Sequence, residues 1–111
     1  MQRTIHMSYA DAERVVYALR ALADDAECRE WEVSPKSVRD VTDKFLVSMR
    51  EAYDLYIHEA LLRDVRWPVG RVSLKITSDD AGIAMIALIA KVRSLGLSQA
   101  ARIMRAVGGR D

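Results

Sequence analysis

The chain has two prolines, Pro35 and Pro68, and the stretch between them contains no helix breaker. Within it Val38, Val41, Phe45, Met49, Ala52, Tyr53, Tyr56, Ile57, Ala60 and Leu61 recur at helical spacing, the apolar stripe of an amphipathic helix. Ser34-Pro35 opens it: serine caps, and proline at the first helical position lacks only an N–H that would go unpaired anyway. Trp67-Pro68-Val69-Gly70 closes it. At 1.5 Å per residue this helix runs about 45 Å, longer than a compact domain of this size needs. One end is expected to project or to pack on a second chain.

The remaining segments fit around that helix. Gln2 to Met7 has the weak alternation of a possible short strand. Ser8 looks like a helix N-cap, with Asp11 completing a capping box. Ala12, Val15, Val16, Leu19, Leu22, Ala23 and Ala26 then mark a first helix, expected to end between Cys28 and Trp31. Arg71 to Thr77 alternates, with Val72, Leu74 and Ile76 on one side and Ser73, Lys75 and Thr77 on the other, which predicts a half-buried strand. Ser78-Asp79-Asp80 starts a third helix through Ile83, Met85, Ile86, Leu88, Ile89, Val92 and Leu95, ended by Gly96. Ser98 caps a fourth, which Gly108-Gly109 stops. The expected fold is mainly α with a small β component, in a single domain over 1–111: a helical hairpin at 1–67 and a strand–helix–helix unit at 71–108. The strand–Ser–helix pattern occurs at both ends, but the side chains align too poorly to mark a repeat.

Composition narrows the function classes. Half of the 111 residues are hydrophobic and 6% are aromatic, so the core must be aliphatic, and 30% charged residues fit a folded domain. A net charge of +1 gives no global pull toward nucleic acid. Charge is uneven, however. Residues 1–32 hold four basic and seven acidic side chains, and residues 71–111 hold seven basic and three acidic. The faces can attract each other within the fold or across a dimer, or the basic end can dock a partner. The single cysteine, Cys28, permits no internal disulfide, and no signal peptide or membrane-length apolar run is present. A cytoplasmic location is expected.

No assembled chemistry emerges. His58-Glu59 begins like a zinc protease helix but lacks the second histidine four positions on. Asp54 and His58 share a helical face, and His6 would have to complete any ligand set. Cys28 has no histidine nearby in sequence. There is no glycine-rich phosphate loop. Tyr53, Tyr56 and Trp67 could stack on nucleic acid, yet their helix carries as many acids as bases. Neither an enzyme nor a cofactor nor a metal site is expected. One rival reading is DNA binding by the basic C-terminal helix pair. Gly96-Leu97-Ser98-Gln99-Ala100-Ala101-Arg102 reads like the first half of a helix-turn-helix, with Lys91, Arg93, Arg102, Arg105 and Arg110 for phosphates.

In residues 71–107, Ile83-Ala84-Met85-Ile86 and the later Leu95-Gly96-Leu97 with Ala100 resemble the C-terminal domain of the bacterial ribosomal stalk protein. Their spacing matches without a gap, and a strand precedes the helix pair as Val72 to Ile76 would here. The resemblance implies a strand–helix–helix unit within a three-stranded sheet. That family's factor-binding lysines and arginines correspond to Ala87, Ala90, Ser98 and Ala101 here, so its ribosomal function is not implied.

These readings lead to a small non-enzymatic regulator that acts by binding another protein. It would inhibit or sequester a larger bacterial or phage-related partner, as helical anti-activators do, and would form a homodimer. The expected contact surface is Met85, Leu88, Ile89 and Met104, rimmed by Arg93, Arg102 and Arg105. The competing expectation is that helices one and two cover this surface within the chain. No membrane association is expected, and nucleic acid is the alternative partner.

Overall fold

The computed structural model describes residues 2–24, 32–63 and 70–108, without the side chains at 59, 60, 62 and 63. Seven-residue strands at Gln2–Ser8 (β1) and Arg71–Thr77 (β2) each run directly into a helix, Tyr9–Asp24 (α1) and Ser78–Ala90 (α3). A second helix follows in each case: Pro35–Arg63 (α2) after α1, and Leu97–Gly108 (α5) after the single turn Val92–Leu95 (α4). The fold is mainly α with a small β component, as its periodicities predict.

The weak N-terminal alternation is a full strand. β1 pairs antiparallel with β2, in a register that sets Ile5 opposite Leu74, Met7 opposite Val72 and Arg3 opposite Ile76. Period-two geometry then sends one set of side chains inward. Ile5, Met7, Val72, Leu74 and Ile76 are all buried. They join Val15, Leu19 and Leu22 of α1, Val38, Val41 and Phe45 of α2, and Leu88, Ile103 and Val107 of α3 and α5 in one core. That core draws on both halves of the described residues. The inward Arg3 is half-buried, and its guanidinium donates to the carbonyl of Val107 near the C-terminal end of α5, where helix carbonyls lack intrahelical partners.

The two strand–helix–helix halves are equivalent in position. With Ile5 matched to its partner Leu74, Ser8 falls on Thr77, Asp11 on Asp80, Ala12 on Ala81, Val15 on Ala84, Ala18 on Ala87 and Leu19 on Leu88. Ala81, Ala84, Ala87 and Leu88 are the buried positions of α3, and each counterpart in α1 is buried too. Packing repeats in the same way: α1 lies against α3, α2 against β2, and α5 against β1. The sequence conceals this repeat because the halves share burial and capping positions rather than residue identities. The segment 1–67 is therefore not a plain helical hairpin, since its first strand belongs to the sheet.

The helix starts held to within a residue or two, and one helix end did not. Thr77 rather than Ser78 caps α3: its hydroxyl accepts the Asp80 N–H at 3.1 Å, and the Asp80 carboxylate accepts the Thr77 N–H at 3.0 Å. Ser8 accepts the Asp11 N–H at 3.1 Å. The third helix stops at Ala90 instead of running to Gly96, and α5 starts at Leu97 rather than after Ser98, with the Ala100 N–H bonded to the Gly96 carbonyl. Gly96 has φ +87° and ψ 140°, a conformation that side chains bearing a Cβ resist. The expected end of the first helix near Cys28 to Trp31, and the Trp67-Pro68 break, lie outside the described residues.

Candidate nucleic-acid interface

The inward side of the ribbon is covered by helices, and the opposite side is not. Gln2, Thr4, His6 and Ser8 of β1 and Arg71, Ser73 and Lys75 of β2 all point outward and are exposed, while Thr77 is half-exposed. Every one of these residues can form hydrogen bonds. Neither strand contains an acid, and Arg71 and Lys75 make the face basic. The register sets Thr4 beside Lys75, His6 beside Ser73 and Ser8 beside Arg71. His6 Nδ1 lies 2.7 Å from Ser73 Oγ, tying the two strands across the outer face.

Carboxylates do stand where the strands enter the helices, and cations neutralise two of them. Asp11 is buried and receives Arg102 (Nη2 at 2.7 Å, Nε at 3.2 Å) and Arg14 (2.7 Å). Burial opposes ionisation of Asp11, but the Arg102 and Arg14 hydrogen bonds and charges outweigh it and hold the carboxyl below its ordinary value. Asp80 is set the same way. Its partial burial is outweighed by Lys44 at 2.5 Å and by the Thr77 N–H. The two pairs are positional counterparts: α5 supplies the cation for the first half's acid, and α2 supplies it for the second half's. Asp79 is exposed beside Asp80.

The surface expected on helix three is interior at its centre and open at its rim. Leu88 is fully buried, so it cannot meet a partner. Met85 and Met104 are partly buried against the core, and Ile89 is 44% exposed. α1, α2 and α5 all pack on α3 and cover this face within the chain. Arg93 and Arg105 are exposed, whereas Arg102 is engaged by Asp11. That ion pair engages one of the five cations expected to meet phosphates. Cys28, Trp67 and Arg110 lie outside the described residues.

Among the described residues, no three His, Cys, Asp or Glu side chains gather in a way that could hold a metal ion. His6 is on the ribbon and Asp54 and His58 are exposed on α2. A shallow groove between α1 and α2 is lined by Val16, Tyr17, Leu46 and Met49 with Glu13, Arg20 and Asp24 along it. No described helix is long and apolar enough to cross a membrane.

The outward ribbon residues are not among the site residues expected from the sequence. The signal was present: two alternating seven-residue segments, both without acids and each ending in a helix cap. No family model, curated protein or solved structure matches the chain. The stalk-domain resemblance accordingly rests on the quoted residues alone.

Proposed function

We propose that the protein is a DNA-binding regulator that lays its β1–β2 ribbon in the major groove. The observation that carries this reading is the outer face of the ribbon, an uncovered row of hydrogen-bonding side chains with two cations and no acid. The major groove of B-DNA admits a two-stranded ribbon, and base edges there present distinct donor and acceptor patterns. Side chains spaced two apart on adjacent strands stand roughly perpendicular to the sheet, so they can reach those edges together. The reading keeps the DNA alternative expected from the sequence but moves it from the C-terminal helix pair to the strands. With so little net charge, affinity depends on base contacts more than on a large phosphate footprint.

The test is fluorescence anisotropy of the full chain against a randomised duplex pool at low and moderate salt, compared with a Thr4→Ala/Ser73→Ala/Lys75→Ala variant. All three positions are exposed, so circular dichroism and Tm should hardly move. Salt-sensitive binding that the variant loses supports the reading. Absence of duplex binding by the wild-type chain at low salt, or full binding by the variant, overturns it.

A second reading keeps the expected protein–protein contact but relocates it. α2 contributes buried side chains as far as Met49, and beyond that point Tyr53, Leu55, Ile57 and Leu61 are 38–81% exposed. That outer portion of the long helix favours a second copy or another protein as its cover. Light scattering giving about twice 12.5 kDa is the expected result, and the monomer mass at tens of micromolar removes the homodimer.

A further inference from the structure

Two identical strands paired antiparallel would present the same side chain at both ends of the ribbon, and their target would be a palindrome. Here both strands belong to one chain, and their equivalent outward positions differ. About the Ile5–Leu74 pair, Gln2 is the counterpart of Arg71, Thr4 of Ser73, and His6 of Lys75. The register groups them by ribbon end. Gln2, Thr4 and Lys75 lie on one side of the Ile5–Leu74 pair; Arg71, Ser73 and His6 lie on the other. Thr4 and Ser73 are chemically alike, so the difference is concentrated in the other two positions.

We infer that the protein recognises a non-palindromic duplex site made of two unlike half-sites. This rests on the ribbon reading above. Arginine pairs bidentately with guanine O6 and N7, and glutamine with adenine N6 and N7. The half-site under Arg71 therefore carries a guanine where the half-site under Gln2 carries an adenine. Lys75 favours a guanine in its half-site, where its counterpart His6 is held to Ser73 across the strands. The similar pair Thr4 and Ser73 leaves those two positions the most alike between the half-sites. A site of this kind has a direction, so the bound chain has one defined orientation on the duplex.

The experiment is selection of sites from a random duplex pool by the full wild-type chain and, separately, by the Arg71→Gln variant. Wild-type selection should return a consensus whose two halves differ. Arg71→Gln should change guanine to adenine in one half only, bring the consensus closer to a palindrome, and weaken binding to the wild-type site about tenfold or more. Circular dichroism of the variant should match wild type, because Arg71 is exposed. If the wild-type chain enriches no duplex, the ribbon reading itself falls, and this inference with it. If it enriches duplexes whose consensus is palindromic, or if Arg71→Gln alters both halves equally or neither, DNA binding stands and the two-half-site inference is overturned.

Discussion

The two strand–helix–helix halves are built alike and loaded differently. Both begin with a seven-residue strand, both cap their first helix with a hydroxyl at the strand's end, and the four buried positions of α3 are buried in α1 as well. Their second helices diverge: α2 runs for 29 residues and α5 for 12. The first helices diverge too. α1 buries Val15, Val16 and Leu22 beside its alanines, whereas Leu88 is the one large side chain fully buried from α3. Four buried positions are thus shared between the halves while bulk is not. The fold needs both strands and both inner helices to close the core, but it leaves the outer end of α2 and the outer face of the ribbon free to specialise.

The comparison can be broken hardest at its matched leucines. Leu19→Asp and Leu88→Asp each place an unpaired charge in a fully buried site and should unfold the protein, seen as loss of helical circular dichroism at 25 °C. A folded Leu88→Asp chain would mean that the second half is an appendage rather than half of the core. Next in size is Phe45→Ala, expected to cost about 3–5 kcal/mol in urea unfolding, against about 2–5 kcal/mol for Ile103→Ala in the other outer helix. A negligible cost at Ile103 would deny the halves equal standing. Gly96→Ala should cost about 1–3 kcal/mol through backbone strain alone, since an added Cβ meets nothing within 4 Å.

The crossed ion pairs give the smallest and most diagnostic effect. Asp11→Asn and Asp80→Asn should each cost about 1 kcal/mol at neutral pH. Both carboxyls are held below the ordinary value of 3.8. Their stabilisation is therefore complete above that value and is lost as pH falls through their lowered native values. Urea unfolding of wild type followed from pH 6 downward should show a decline beginning near pH 4, and the double Asn variant should show less of it. An equal decline in both would remove the ion pairs from the account.

Much of the fold was legible because periodicity and capping are local. The alternation at Val72, Leu74 and Ile76, the Ser34-Pro35 start and the acidic opening of α3 each mark an element within a few residues. The pairing of β1 with β2 does not follow from the residues alone, because seven residues of weak alternation do not name their neighbour. Asp11 with Arg102 and Asp80 with Lys44 join elements far apart in sequence, and no spacing rule reaches that far. Helix three reads two ways for a physical reason. Its apolar surface on nearly all sides resembles a docking helix, but it also suits a helix enclosed by α1, α2, α5 and β2. Its buried alanines Ala81, Ala84 and Ala87 lie within the chain's own core.

The ribbon has one further consequence, for how the protein responds to its own abundance. A ribbon assembled from two separate chains exists only as far as those chains associate, so dilution dismantles the binding surface and occupancy of a target rises as a steep function of concentration. Here β1 and β2 are joined covalently through α1 and α2, and ribbon formation is a unimolecular step. On the proposed reading, each molecule that folds would carry a complete binding surface. Occupancy of a single site would then follow a simple hyperbola down to the lowest concentrations, giving a graded response where an obligate pair would give a threshold.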